Sequence, residues 1–306
     1  MPTHAQQRST SGPRPQAPGA SRAPGAGLQG TLGNAALADL LSGRAPVDAQ
    51  AVGLVQQGLV LREGMRGDGL KRVQMLLGIG PSGQDGVYGP GTAGRVRLFQ
   101  ERAGLPETGE VDAATLQALE AQTQGENGIL FQHATNGASR ATARQERLRA
   151  GVGASESMAE TDRGRVEAFH EALTTVARRY DFPPALLAAI ASRETRGGIA
   201  LDSQGYSRWD GQGFGVMQVD KNHHTPQGGP RSVEHIEQAA KILDDMRSMM
   251  RRRHRDWSED QLLQAAVASY NKGPQVRSQA RVDRGTTGGD YSSDVWARAR
   301  YYSRFF

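Results

Sequence analysis

The chain has no cysteine among its 306 residues. A disulfide framework and any thiolate metal site are therefore excluded, packing must hold the fold, and nothing marks an oxidising compartment. No apolar run approaches the ~20 residues that cross a bilayer as a helix, so no membrane span is expected. The N-terminus, MPTHAQQRSTSGPRPQAPG, lacks the apolar centre of a secretory signal. Synthesis in the cytoplasm and delivery outward by another system are the expectation. Aromatic residues make up only 6%, and there is neither an RNP-like aromatic run nor zinc-finger spacing, so nucleic acid is not an expected partner. His223 and His224 adjoin, but no third ligand stands at a convincing spacing, and neither a metal nor another cofactor is expected.

What is plentiful is glycine, with 39 residues against 14 prolines, and positive charge, with a formal net of +5. The glycines and prolines suggest linkers between domains, and the charge favours approach to polyanions such as anionic wall polymers. The cluster Arg251, Arg252, Arg253 and Arg255 stands where a helix should end, where it offsets the helix dipole.

Residues 1–47 open as a Pro-, Ala-, Gly- and Ser-rich stretch too poor in large apolar residues to build a core, and read as a disordered leader. Within it LQGTLGNAALADLL, residues 28–41, spaces Leu28, Leu32, Ala36, Leu40 and Leu41 as a short amphipathic helix. From 55 to 121 three helical faces follow: Val73, Leu76 and Leu77; then Val96, Phe99 and Gln100; then Leu116 and Leu119 behind an Asp112 cap. A small three-helix bundle is expected. Its turn DGVYGPGT, 85–92, has Thr92 placed to start the second helix. Residues 122–150 read as a linker ending in a helix.

A mainly helical domain is expected over 151–306. Val166, Phe169, Leu173, Val176 and Ala177 keep one stripe, and Val233–His254 forms a long helix through Ile236, Ala240, Leu243 and Met246. Ser258 with Gln261 opens another as a capping box, which ends at Gly273-Pro274. Trp296, Tyr301, Tyr302 and Phe305 close the chain on a last helix.

The centre of this domain is DFPPALLAAIASRETRGGIALDSQGYSRWDGQGFGVMQVD, 181–220. Pro183 and Pro184 suit a first helical turn, and Gly197-Gly198 stops the helix. Leu186, Ile190 and Glu194 stand four apart, so the carboxylate lies in line with an apolar stripe. Surroundings of that kind disfavour the charged form and raise the pKa toward the range of a general acid. The ordinary alternative is a glutamate at a frayed helix end, paired with Arg193 or Arg196. Downstream, Gly211, Gly213 and Gly215 imply close backbone approach before Val216, Met217 and Val219 turn inward.

ASRETRGG (191–198), GQGFGVMQVDK (211–221), HTPQG (224–228), ASYNKGPQVRS (268–278) and GTTGGDYSSDV (285–295) together resemble the goose-type lysozymes, within the group that also holds lytic transglycosylases. GVGASESMAETD, 151–162, fits the start of that domain. LREGMRGDGLKRVQMLLGI, DGVYGPGTAGRVRLFQERAGL and TGEVDAATLQAL similarly resemble a type 1 peptidoglycan-binding domain. Residues 28–41 resemble a segment found in proteins linked to extracellular contractile injection systems, which implies loading into a phage-like or injection particle as one route of delivery.

The goose-type resemblance implies a bacteriolytic hydrolase cleaving the β-1,4 bond between N-acetylmuramic acid and N-acetylglucosamine. Glu194 is then the acid, and Asp220 with Asp210 positions water; Asp202 is a further option. Gln218, His224, Tyr270, Asn271 and Tyr291 fall in motifs that line the family's sugar cleft. In the bundle, Asp85, Tyr88 and Thr92 are candidate wall contacts, although a turn-forming Asp and a packing Tyr fit the same positions. Two other functions stay open: a lytic transglycosylase that leaves 1,6-anhydro ends, and an inactive wall-binding spike component.

Overall fold

The computed structural model describes residues 34–306. The leader up to residue 33, including Leu28 and Leu32 of the expected amphipathic helix, lies outside the described residues. The second half of that helix is α1, Asn34–Leu41. It is not part of a disordered leader: Leu37 and Leu40 are buried. Val47, at the end of the same stretch, is tied to the bundle through its bond to Arg66 O (2.7 Å) and the bond from Gly69 N (2.9 Å). Gly67 and Gly69 permit this crossing, since a Cβ at either would meet the Val47–Asp48 backbone at 2.2–2.3 Å.

After the short α2, Ala49–Gly53, the bundle is α3 (Gly69–Leu76), α4 (Pro90–Ala103) and α5 (Ala113–Ala121). α4 starts at Pro90, two residues before Thr92, because a proline at the first helical position has no N–H to leave unpaired. Asp112 caps α5 by accepting from Thr115 N at 2.8 Å. Two buried glutamines clamp the turns between helices. Gln74 accepts from Gly86 N (3.0 Å) and donates to Asp85 Oδ1 (2.9 Å), while Gln100 accepts from Gly109 N (2.9 Å) and donates to Glu110 O (2.8 Å). A side-chain amide satisfies both senses of backbone group at once, which suits it to holding a glycine turn.

Residues 122–150 differ from the linker expected there. Leu130 and Phe131 are buried in the core of the following domain, Trp296 Nε1 and Arg300 Nε both donate to Leu130 O (2.9 and 2.7 Å), and α6 spans Arg140–Arg144. The apolar ILF triplet in a polar stretch is what draws the segment inward.

Next come α7 (Val152–Glu167) and α8 (His170–Arg179), where a single stripe from Val166 to Arg179 was expected. The chain breaks at Phe169, whose φ/ψ of −108/12° are not helical. Both α7 and α8 pack on the helix at 184–195, but α7 also packs on the C-terminal helix and α8 on the helix at 233–253, so the break redirects the chain from one to the other. The central helix α9, Pro184–Thr195, is buried on nearly all sides. A two-stranded hairpin, β1 (Gly213–Phe214) with β2 (Val219–Asp220), pairs Gly213 with Asp220. α10 (Val233–Arg253), α11 (Glu259–Lys272, opened by the Ser258–Gln261 capping box) and α12 (Tyr291–Tyr302) complete the domain. The architecture is mainly α, as the periodicities imply.

Candidate active site

Glu194 stands one residue from the end of α9, after Leu186 and Ile190 have faced the core with no exposure. Arg196 (φ 57°), Gly197 (φ 68°) and Gly198 (φ 93°) then turn the chain through left-handed backbone, so the helix ends on the floor of a cleft of about 660 Å³. Burial pushes the Glu194 carboxyl up to about 7. Neither neighbouring arginine pairs with it. Arg193 points away to Asp290 and Asp294 (both 3.1 Å), and Arg196 pairs with Glu146 (2.6 Å) and Asp162 (3.3 Å). Among the described residues the one side chain bonded to Glu194 is Tyr291, whose hydroxyl donates to Oε1.

The opposite lip of the cleft is the hairpin. Gly213 and Gly215 lie where any Cβ would strike Gln218 Oε1 or His235 Nε2 at 2.4 Å. Gly211 meets nothing within 4 Å, and its φ of 65° is what calls for glycine. Three side chains fix the buried turn 216–217: Thr195 Oγ1 donates to Val216 O (2.9 Å), Tyr270 Oη donates to Met217 O (2.7 Å), and His235 Nε2 accepts from Met217 N (3.1 Å). For Nε2 to accept, His235 must be neutral, and burial pushes its pKa down to about 4.

β2 ends at Asp220, whose half-exposed carboxylate faces the cleft. Hydrogen bonds from Asn222, backbone first, and His223 hold it below the usual carboxylate range. Asn222 N and His223 Nδ1 lie 2.8 and 2.9 Å from its two oxygens. The cleft therefore sets a partly buried carboxyl whose pKa is raised to about 7 against one held below the usual carboxylate range, the kind of contrast that can separate the roles of two carboxyl groups.

The other expected residues divide. Gln218, His224, Tyr270 and Asn271 line the cleft with Glu194 and Asp220. Gln218 adopts φ 54° and donates to Gly215 O (2.9 Å), and Asn271 accepts from Thr287 N at 2.8 Å, which pins the loop before α12. Tyr291 does not line the cleft. It is buried at 1% exposure, because its hydroxyl reaches up to Glu194 from below. Asp210 also lies outside the cleft lining. Its Oδ1 accepts from Gln212 N (3.0 Å) in an Asx turn, and Gln212 Oε1 accepts from Asn222 Nδ2 (3.0 Å), which also donates to Asp220 Oδ1 (2.9 Å). Asp202 caps its own turn through Gln204 N and Tyr206 N (both 2.9 Å).

In the bundle, Tyr88 is fully buried and donates to Gly109 O at 2.8 Å, so it packs and does not face a ligand. Thr92 is likewise buried, beside the Gln74 amide (3.3 Å). Asp85 is the exposed one of the three, while also bonded to Gln74 and Val87 N. Among the described residues no cluster of His, Asp and Glu is arranged to hold a metal ion.

The sequence reading missed what anchors the Glu194 helix. Asp162, fully buried, accepts from Ser192 Oγ (2.8 Å) and Arg165 (2.6 Å), and Arg298 bridges it (3.3 Å) to Asp294 (3.0 Å). With Arg193, Asp290 and Asp294 this makes a continuous buried network around the end of α9. Charges so placed are tolerated only when each is paired. The i, i+4 spacing of Asp290 and Asp294 within GTTGGDYSSDV was the available signal.

Comparison with known proteins adds to this geometry. The family model for "Lysozyme g" matches residues 128–305, and one for "Putative peptidoglycan binding domain" matches 69–119. The first match begins within the stretch expected as a linker. Curated relatives named lysozyme g include one from Cyprinus carpio, 41% identical over 172 residues, covering 55% of this chain and 91% of the relative. Another from Epinephelus coioides is 41% identical over 186 residues, covering 57% and 95%. A third, from Dromaius novaehollandiae, is 39% identical over 194 residues, covering 63% and 94%.

Proposed function

This chain belongs to the lysozyme g family, and from that premise we propose that it cleaves the β-1,4 bond between N-acetylmuramic acid and N-acetylglucosamine with inversion, using Glu194 as general acid and water held by Asp220. It is a glycoside hydrolase of the lysozyme type, with peptidoglycan as the substrate its two domains suit.

The observation that carries the mechanism is the contrast between the two carboxyl groups of the cleft. Glu194 is half-protonated at about pH 7, so it can give a proton to the leaving oxygen. Asp220 stays ionised and accepts a proton from water on the other side of the sugar, as inversion requires. Asp210 assists indirectly, through Gln212 and Asn222, by fixing the Asp220 carboxylate. His224, Tyr270 and Asn271 contact the glycan, and Asp85 is the candidate wall contact of the bundle. For delivery we propose residues 28–41 as a docking segment, of which α1 leaves Leu41 exposed.

Mass spectrometry of fragments released from purified peptidoglycan tests this reading. Reducing muramic ends are expected, with the inverted anomer visible by proton NMR before mutarotation. Ends of 1,6-anhydro type, lighter by one water, would overturn it in favour of a transglycosylase, and wall binding without release would leave only a binding module.

A further inference from the structure

Between the bundle and the hydrolase domain lies a half-enclosed cavity of about 230 Å³. It shares no lining residue with the cleft. Its walls are apolar on both sides of the seam: Leu76, Leu98, Phe99 and Ala118 from the bundle, Phe131 and Tyr301 from the other domain. An engineered cavity of ~150 Å³ takes up benzene, so this volume suits an aryl ring or a chain of roughly six to eight carbons with a small head.

The charge around it is one-sided. Arg95, Arg102, Arg300 and Arg304 line the cavity, against one carboxylate, Glu156. Glu156 is already engaged by Arg95 (3.1 Å) and Arg102 (3.8 Å). Arg300 is 92% buried, at 8% exposure, yet has no acid in ion-pair contact among the described residues; it donates to the carbonyls of Leu130 (2.7 Å), Met75 (3.3 Å) and His133. Three carbonyls leave part of a five-donor guanidinium unused. Burial pushes Arg300 down to about 10, and Arg304, exposed overall but with a partly desolvated guanidinium beside Arg102, is lowered as well. A buried cation normally sits beside an acid, and Arg300 has none among the described residues.

We propose that this seam is a binding site for a small amphipathic carboxylate, its apolar part lying on Leu98 and Phe99 and its anionic head completing the Arg300–Arg304 cluster. The ligand bridges both domains and so ties the wall-binding bundle to the hydrolase. The proposal rests on the seam alone and is independent of the reading of the cleft. Either a free fatty acid or the C-terminal carboxylate of a peptide supplies this chemistry.

Calorimetric titration of the full chain tests it, with octanoate and N-acetylnorleucine as carboxylate probes and 1-octanol and acetate as controls. One-to-one saturation by a carboxylate probe is expected, at least tenfold tighter than by 1-octanol or acetate, with a rise in Tm. The stronger of the two probes identifies the source. Arg304→Gln, at an exposed position, should weaken binding about tenfold, and Leu98→Trp, which fills the space, should abolish it, both with unchanged lytic activity. Equal binding of octanoate and octanol, no saturable binding, or binding unaffected by both variants would overturn the proposal.

Discussion

The hydroxyl of Tyr291 donates to Glu194 Oε1 across 97 residues of sequence, from the first residue of α12 to the last turn of α9. The donor is buried and the carboxyl reaches the cleft floor, so one bond sets the orientation of the acid. It also favours the ionised form and holds the Glu194 pKa lower than burial alone would place it. Replacing Tyr291 by Phe should raise the Glu194 pKa above its value of about 7, moving the high-pH limb of kcat upward while lowering its maximum. Rates from pH 5 to 9 give the result, and an unmoved limb would remove Tyr291 from this role.

Glu194→Gln should cost at least about a thousandfold in turnover and yet stabilise the fold at high pH. The native carboxyl keeps its proton up to about 7, whereas an unfolded one loses it near 4.5. Between those values the folded state binds more protons, so wild-type stability is fully present below about pH 4.5 and falls as pH rises toward 7. The variant escapes this penalty, which amounts to ~1–3 kcal/mol at pH 8. Denaturant midpoints at pH 4 and pH 8 should show the gain at pH 8 alone.

Asp220→Asn should lose about a hundred- to thousandfold in hydrolysis, because amide nitrogen cannot take the proton from water. Asp210→Asn should lose less than tenfold, since its carboxylate acts through a turn. His223→Ala removes one of the bonds that keep Asp220 ionised, so the low-pH limb should move upward. Equal losses in the two Asn variants would return Asp210 to the reaction itself.

His235 carries a separate pH effect. Its neutral ring accepts from Met217 N, and its pKa of about 4 lies below the ordinary 6.5. As pH falls through 6.5 the unfolded state gains a proton that the folded state refuses, so stability drops until about pH 4 and then levels. His235→Gln should flatten this slope in thermal melts while lowering Tm at pH 7. A slope equal to that of the wild type would place the effect on other groups.

Tyr88→Phe should destabilise the bundle by about 1 kcal/mol through the lost bond to Gly109 O and leave retention on peptidoglycan unchanged. Co-sedimentation with purified wall, beside an Asp85→Asn variant, separates packing from contact.

The local sequence determined the helices and the acid. Leu186, Ile190 and Glu194 share a stripe because an α-helix repeats every 3.6 residues, and Asp112 or Ser258–Gln261 start helices because nearby backbone N–H groups need acceptors. The glycine hairpin was legible from its glycines, which mark close backbone approach, whereas Asp220 was singled out only by the resemblance of GQGFGVMQVDK to the goose-type lysozymes. Whether Tyr291 and Tyr88 face sugar or core was not, because a tyrosine suits both and exposure depends on what folds over it. Tertiary structure alone decided that Arg193 and Arg196 leave Glu194 unpaired, since their partners Asp290, Asp294, Asp162 and Glu146 are distant in the chain. It also decided that residues 122–150 pack inward. Periodicity reports one element's faces, while the pKa of a carboxyl is set by every element packed around it.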